Sequence, residues 1–333
     1  MIMATEPTTK MRAIARSAYG GPEVLAPREV EKPVPADDEV LVRVQAASLN
    51  AFDWHMLTGV PYLARLDAGI RGPKSELLGV DFAGTVDSVG ASVTQFEPGD
   101  EVFGGRAGAL AEYVQVREER AIAPKPAGVS FEDAASLGIG AVTALQGVRD
   151  KGRLKPGQKV LINGASGGVG TFAVQLAKWL GAEVTAVCRT RNVEQARALG
   201  ADHVIDYTQE DFVARGERYD LMLDVAGNRS WRECKRVLKD DGRLVIVGGP
   251  KTNRWIGPLG SRLAIVLGSK LGSRSASMFL ANLNKDDLVT LGGLVDDGTV
   301  TPVIERLYRL EEVPEAMRYM GAGHARGKLV VTV

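Results

Sequence analysis

Residues 164–170 read Gly-Ala-Ser-Gly-Gly-Val-Gly and fall between an apolar run, 159–163, and a segment with helical spacing, 169–180. Glycine at these places permits a tight turn, lets the main chain approach a ligand, and lets helix pack close to strand. The N–H groups that open the helix lack intrahelical partners, and with the helix dipole they favour an anion. The chemistry such a turn performs is the seating of a pyrophosphate. In a strand–turn–helix setting the expected ligand is a dinucleotide, with Ser166, Gly167, Gly168, Val169 and Gly170 as the contacting residues, and a structural turn without ligand is the alternative. A second strand, 183–188, ends where a carboxylate would hold the ribose hydroxyls of NAD. This chain has Cys188 there, followed by Arg189, Thr190 and Arg191. With no carboxylate in that stretch to repel a 2′-phosphate, two guanidiniums and a hydroxyl can bind one. NADPH is the expected cofactor; solvated arginines beside a helix start are the bland alternative.

Those residues need a frame, and the middle of the chain supplies a regular alternation. Residues 131–149 have helical spacing, with Asp133 in the first turn. The predicted series continues as strand 159–163, helix 169–180 stopping at Gly181, strand 183–188, helix 193–199 ending at Gly200, and strand 203–206. Helix 209–215, strand 219–225, helix 230–238 and strand 243–247 complete it. Strands alternating with helices of these lengths imply a parallel sheet covered on both faces, a doubly wound α/β unit. Residues 11–124 differ, with short β-type runs such as 39–47 and 85–89 broken by Gly and Pro. Segment 255–271 is apolar but dotted with Arg, Lys and Gly, and it fits a lid or core packing, a dimer element or, least well, a membrane-surface helix. Strand-like 277–281, a helix over 285–296 and strand-like 328–333 close the chain.

Composition removes other classes. With 45% hydrophobic and 25% charged residues in 333, the chain is an ordinary folded sequence. Lys+Arg and Asp+Glu balance at 41 each, so no bulk field recruits nucleic acid or anionic lipid, although 242–285 holds no Asp or Glu. Two cysteines, Cys188 and Cys234, cannot make a disulfide framework and fit a reducing compartment. Residues 1–10 lack the apolar run of a signal peptide, and the most apolar internal run, 263–267, is far too short to span a bilayer. The expected location is the cytoplasm, with no stable membrane insertion.

Further motifs precede and flank the glycine turn. They are Ser-Leu-Asn-Ala-Phe-Asp-Trp-His at 48–55, Leu-Gly-Val-Asp-Phe-Ala-Gly-Thr-Val at 78–86, and Glu-Pro-Gly-Asp-Glu-Val-Phe-Gly at 97–104. Ala111-Glu112-Tyr113 and Leu-Lys-Pro-Gly-Gln-Lys-Val-Leu-Ile at 154–162 continue the order. In this order the chain resembles the medium-chain dehydrogenase/reductase superfamily, in its zinc-free, quinone-oxidoreductase-like branch, over nearly its whole length from Met11 to Val333. The resemblance implies a GroES-like β-rich catalytic domain, 1–130 completed by 283–333, joined to a Rossmann NADP-binding domain, 131–282. The active site would lie in the cleft between them, and the strand near 277–281 would pair across a homodimer. Zinc-dependent relatives have Cys where this chain has Asn50, and Gly-His-Glu where it has Gly79-Val80-Asp81. Val80 cannot ligate a metal, and no tetrahedral set is apparent, so no metal is expected.

Without a Lewis acid, alcohol oxidation is disfavoured, whereas hydride transfer to an electrophilic quinone or α,β-unsaturated carbonyl asks mainly for orientation and a proton. His55 stands where related quinone reductases often carry Tyr, and Tyr62 follows in the next loop; each is a candidate donor or simply a packed residue. Asn50 would face the nicotinamide ribose or amide, or else stabilise a turn, and Asp53 reads as a structural acceptor. The resemblance also implies that Thr143 contacts the nicotinamide end and Tyr207 the adenosine phosphate. Val247, Gly248 and Gly249 would pass beside the nicotinamide, and Lys328 would reach the cofactor from the C-terminal segment. Structural roles are open for all of these, and are the first reading of His203 and His324. Two other functions stay open: a zinc-independent alcohol dehydrogenase or carbonyl reductase, and a non-catalytic NADPH-binding sensor.

Overall fold

A computed structural model describes residues 9–248, 263, 265, 266, 268, 269, 273–323 and 325–333. Gly249, His324 and most of segment 255–271 lie outside the described residues. The N-terminal part supplies β1 (Lys10–Arg16), β2 (Leu25–Glu31), β3 (Glu39–Leu49), β4 (Asp81–Val89), β5 (Glu101–Gly105), β6 (Tyr113–Arg117) and β7 (Ile122–Pro124). The middle supplies β8 (Lys159–Asn163), β9 (Glu183–Cys188), β10 (His203–Asp206), β11 (Tyr219–Asp224), β12 (Leu238–Ile246) and β13 (Ser275–Met278). The chain ends with β14 (Ile304–Arg309) and β15 (Lys328–Thr332).

Strands β8 to β13 form one parallel six-stranded sheet in the order β10-β9-β8-β11-β12-β13. Val160, Leu161 and Ile162 of β8 are wholly buried, as a strand covered on both faces requires. Counted within the sheet, the order is 3-2-1-4-5-6, which reverses direction between β8 and β11. In open α/β sheets ligands bind beyond the carboxyl ends of the strands at such a reversal. The turn 164–170 leaves β8 there.

The other large sheet has the order β14-β15-β3-β4-β5-β7, with β6 pairing β3. Its strands come from 39–124 and 304–332, so the chain leaves this sheet, builds the parallel one and returns. Two registers matter for the site. Leu329 of β15 faces Leu49 of β3, and Ser48 of β3 faces Asp81 of β4. The ends of three strands are thereby placed side by side.

A helical run joins the two sheets, comprising Phe131–Ser136, Leu137–Ala141, Val142–Leu145 and Gln146–Lys151. Ser130 caps it, its hydroxyl accepting from the Asp133 amide at 3.1 Å. Gly138 breaks the helical geometry (φ −61°, ψ −121°), so the next amide, Ile139, is free to bond elsewhere. One continuous apolar core runs from Ala46, Ala83 and Phe103, through Leu137 and Leu145, to Phe172, Val184 and Val245.

Two sequence expectations are corrected. Residues 209–215 form turns instead of a helix: the Asp211 carboxylate accepts the Val213 amide at 3.1 Å, a local bond that competes with helix, and Phe212 is buried. The strand expected near 277–281 is Ser275–Met278. Within 255–271, core packing, one of the readings above, holds at Ile265, which packs against the cluster containing Met222, Cys234 and Ile246.

Candidate active site

The turn after β8 has the shape its sequence foretells. Gly164 takes φ +95°, a backbone that disfavours a side chain. A Cβ on Gly170 would stand 2.1 Å from the Gly164 carbonyl, so helix and turn close together only without one. Over Gly167, by contrast, nothing lies within 4 Å. Among the described residues, the turn's loop hydrogen bonds use the amides of Gly164 and Ala165, both donated to the Val187 carbonyl, and none from Ser166 to Val169. Open space above unspent amides at a helix N-terminus is a cradle for a diphosphate. Helix Gly170–Trp179 then runs into the core, and the segment Val142–Leu145, with Thr143 buried, packs against it.

At the ends of β9 and β10 the structure gathers Arg189, Thr190, Arg191 and Tyr207. All four are exposed, and the Tyr207 amide donates to the Cys188 carbonyl at 3.0 Å. Cys188 is buried, and that burial pushes its thiol up to about 11, so it is no nucleophile. One expectation fails here. A carboxylate does reach this place, from the neighbouring strand: Asp206 ends β10 opposite Cys188, and its carboxyl is held below the ordinary range first by a hydrogen bond from Thr190. A sequence window after Cys188 could not include a residue that only strand pairing brings near. Thr190 and Thr208 hydroxyls lie 2.9 Å apart beside it.

The ends of β8 and β11 are tied by a buried pair that sequence reasoning missed. Asn163 Nδ2 donates to Asp224 Oδ1 at 2.8 Å, and the Gly227 amide donates to the same oxygen at 2.8 Å. The signal was available: each residue is a polar end to an apolar run, Val160–Ile162 in β8 and Leu221–Leu223 in β11. Val247 and Gly248 sit over this pair, their amides donating to the Asp224 carbonyl at 3.0 and 3.4 Å. A Cβ on Gly248 would fall 1.9 Å from the Val225 carbonyl.

Across the cleft, Asn50 follows β3 and opens helix Ala51–Thr58. Both ends of its amide are engaged. Lys328 Nζ donates to Oδ1 at 2.7 Å, and Nδ2 donates to Asp81 Oδ2 at 2.8 Å. Asp81, fully buried, also accepts from Ser48 Oγ at 3.0 Å and, on its other oxygen, from the Ile139 amide at 2.9 Å. Lys328 lies 3.4 Å from Asp81 and is itself buried, so its ammonium is turned to Asn50 and Asp81 instead of to an open face of the turn. The Asn50 amide N–H donates to Asp53 Oδ2 at 2.7 Å, closing the first turn of the helix. Burial, and then the Asp81 charge, push the Asp53 carboxyl up to about 7.

His55, half-buried on the same helix, has Nδ1 2.6 Å from the Val60 carbonyl. A carbonyl only accepts, so Nδ1 carries the proton, and Nε2 donates only in the imidazolium. Tyr62 lies just beyond Val60, its ring under the Arg65 guanidinium at 4.6 Å, and Arg65 also covers Tyr19 at 4.4 Å. The fold thus joins His55 to the loop of Tyr62, and Asn50 to Lys328. His203 pairs with Glu183 at 3.1 Å at the starts of β10 and β9, the opposite end of the sheet from the turn. No group of three or more His, Cys, Asp or Glu among the described residues could hold a metal ion.

Comparison with known proteins decides the family. Residues 36–127 match the alcohol dehydrogenase GroES-like domain, and residues 199–331 match a family described as zinc-binding dehydrogenase. A quinone oxidoreductase of Triphysaria versicolor is 34% identical over 96% of this chain and 98% of its own length. The chain belongs to the medium-chain dehydrogenase/reductase superfamily, among its quinone-oxidoreductase-like members. The 2-methylene-furan-3-one reductase of Solanum lycopersicum is 31% identical over 97% of this chain and 79% of its own. The Escherichia coli quinone oxidoreductase, solved in complex with NADPH, is 26% identical, with a TM-score of 0.83 over 97% of this chain and all of its own. Together these comparisons assign the two sheets to a GroES-like domain and a Rossmann domain.

Proposed function

We propose that this oxidoreductase uses NADPH to reduce quinones or α,β-unsaturated carbonyls by hydride transfer, without a metal. The observation that carries the reading is the glycine turn at the reversal of the parallel sheet, with open space above Gly167 and unspent amides beneath it. Ser166 to Gly170 would hold the pyrophosphate; Arg189, Thr190, Arg191 and Tyr207 the 2′-phosphate end; Val247, Gly248, Gly249 and Thr143 the nicotinamide end. NADPH when bound supplies the hydride. The names of the Triphysaria and tomato relatives support quinone and enone acceptors, and the Escherichia coli complex supports NADPH.

The chain's own residues would orient and protonate. His55, with Nδ1 spent on Val60, offers a proton from Nε2 as imidazolium, and Tyr62 offers its hydroxyl from the adjoining loop. Asn50, both ends of its amide engaged, acts by holding the floor of the cleft. At the 2′ end, Asp206 opposes the two arginines, which makes NADH the competing cofactor.

The same reading treats 1–130 with 283–333 as the catalytic unit and 131–282 as the cofactor unit. It also includes a homodimer formed through β13, which lies at the outer edge of the parallel sheet with Met278 and Leu280 exposed beside it. Buried free thiols at Cys188 and Cys234 support a reducing compartment such as the cytoplasm. Turnover with a panel of quinones, enones and aldehydes, run with NADPH and NADH in parallel, tests the function. Quinone or enone reduction with NADPH is expected; tight NADPH binding without turnover on any acceptor would favour a sensor.

A further inference from the structure

Lys328 makes a connection that cofactor binding does not account for. Its head lies in the GroES-like half, 2.7 Å from Asn50 Oδ1 and 3.4 Å from Asp81 Oδ2. Its stem runs along the cofactor half, for a Cβ on Gly168 would meet Lys328 Cδ at 3.2 Å. From a third side, a Cβ on Gly140 would stand 2.7 Å from the Gly168 carbonyl and 3.4 Å from Lys328 Nζ. A Cβ on Gly138 would strike Asp81 Oδ1 at 2.1 Å. Gly138, Gly140 and Gly168 thus surround a single buried ion pair, each at a distance that leaves little or no room for a side chain. Such a pair adds little stability over an apolar substitute, but it fixes geometry, because breaking either half strands a buried charge.

We propose that Lys328 is a positioning residue, a strut that sets the distance between the pyrophosphate turn and the Asn50 end of the acceptor site. This rests on the reductase reading above for its consequence in catalysis, though not for the strut itself. Hydride transfer requires the reacting atoms to be held within a narrow range, and a displacement of about 1 Å can cost on the order of a hundredfold in rate. The strut lets one half of the molecule report the position of the other through atoms that do not shift rotamer freely.

The test uses Lys328→Met combined with Asp81→Asn, which removes both charges together so that neither is stranded. Alongside it runs Gly140→Ala, which keeps every charge and wedges a methyl between strut and turn. In both, kcat should fall at least tenfold (roughly, by the same positioning principle), a larger change than any rise in KM for NADPH. Amide hydrogen exchange should quicken at Thr171 and Ala173, which are held by the Gly167 and Val169 carbonyls at 3.0 and 2.9 Å. Wild-type kcat with unchanged exchange at those two amides overturns the strut, as does loosening confined to residues 48–53. If the wild-type protein reduces no acceptor, the reductase reading fails, and exchange alone still decides for or against the strut. Gly140→Ala decides if the double variant does not fold.

Discussion

Asp53 is the side chain whose ionisation the fold alters most plainly. It is buried, accepts the Asn50 amide, and has its carboxyl pushed up to about 7 by burial and by Asp81. A carboxyl raised in the folded state favours folding while protonated. Its contribution is fully present below the unfolded value, about 4, and is lost as pH rises through about 7. The wild-type protein should therefore lose thermal stability relative to Asp53→Asn between about pH 4 and 7, read from melting temperatures across that range. Parallel curves would contradict this. His55 makes a separate prediction. If its imidazolium protonates the reduced acceptor, His55→Phe should lower kcat by roughly a hundredfold, the lower end of what general acids contribute, with KM for NADPH unchanged. Steady-state kinetics checks it, and a wild-type kcat would return the role to Tyr62 or water. Of these residues, sequence could name His55 and Tyr62 but not the tautomer of His55 or the link between the two. The Val60 carbonyl that fixes Nδ1 depends on how the chain turns between 58 and 62, which no spacing rule specifies.

The strand–turn–helix around residues 164–170 was legible because its requirements are local. β8 and the helix 285–296 fall where the apolar runs place them, and the helix after the turn spans Gly170–Trp179, within a residue of the reading. Asp206 and the Asn163–Asp224 pair were not legible, because each depends on pairing between strands distant in sequence. Residues 209–215 misled for the opposite reason: a short polar segment with helical spacing yields to Asp211 bonding its own backbone. The tight closure of the turn yields a third prediction. Gly170→Ala would place a methyl 2.1 Å from the Gly164 carbonyl. Overpacking of this kind costs about 1–3 kcal/mol, and it should also weaken NADPH binding roughly tenfold, since the amides that face the phosphates would be displaced. Thermal melts and titration measure the two effects independently.

The two sheets meet over one continuous core, so the halves of this molecule are packed together along the helical run 131–151 as well as through Lys328. Zero net charge, with 41 basic and 41 acidic residues, leaves association to shape and to exposed edges. Among the described residues β13 is such an edge, and unpaired edges invite pairing. Met278→Asp with Leu280→Asp should convert a dimer to a monomer in light scattering, while a wild-type species already monomeric would remove β13 from the account. The whole reading depends on the turn at Gly164 and the arginines beyond Cys188 acting on one ligand. Calorimetric titration of the purified protein with NADPH and then NADH tests this most directly. The expected result is NADPH bound roughly tenfold or more tightly than NADH, a difference worth about 1.4 kcal/mol, with the gap closing in Arg189→Ala. No heat with either dinucleotide, or NADH bound as tightly, would contradict it.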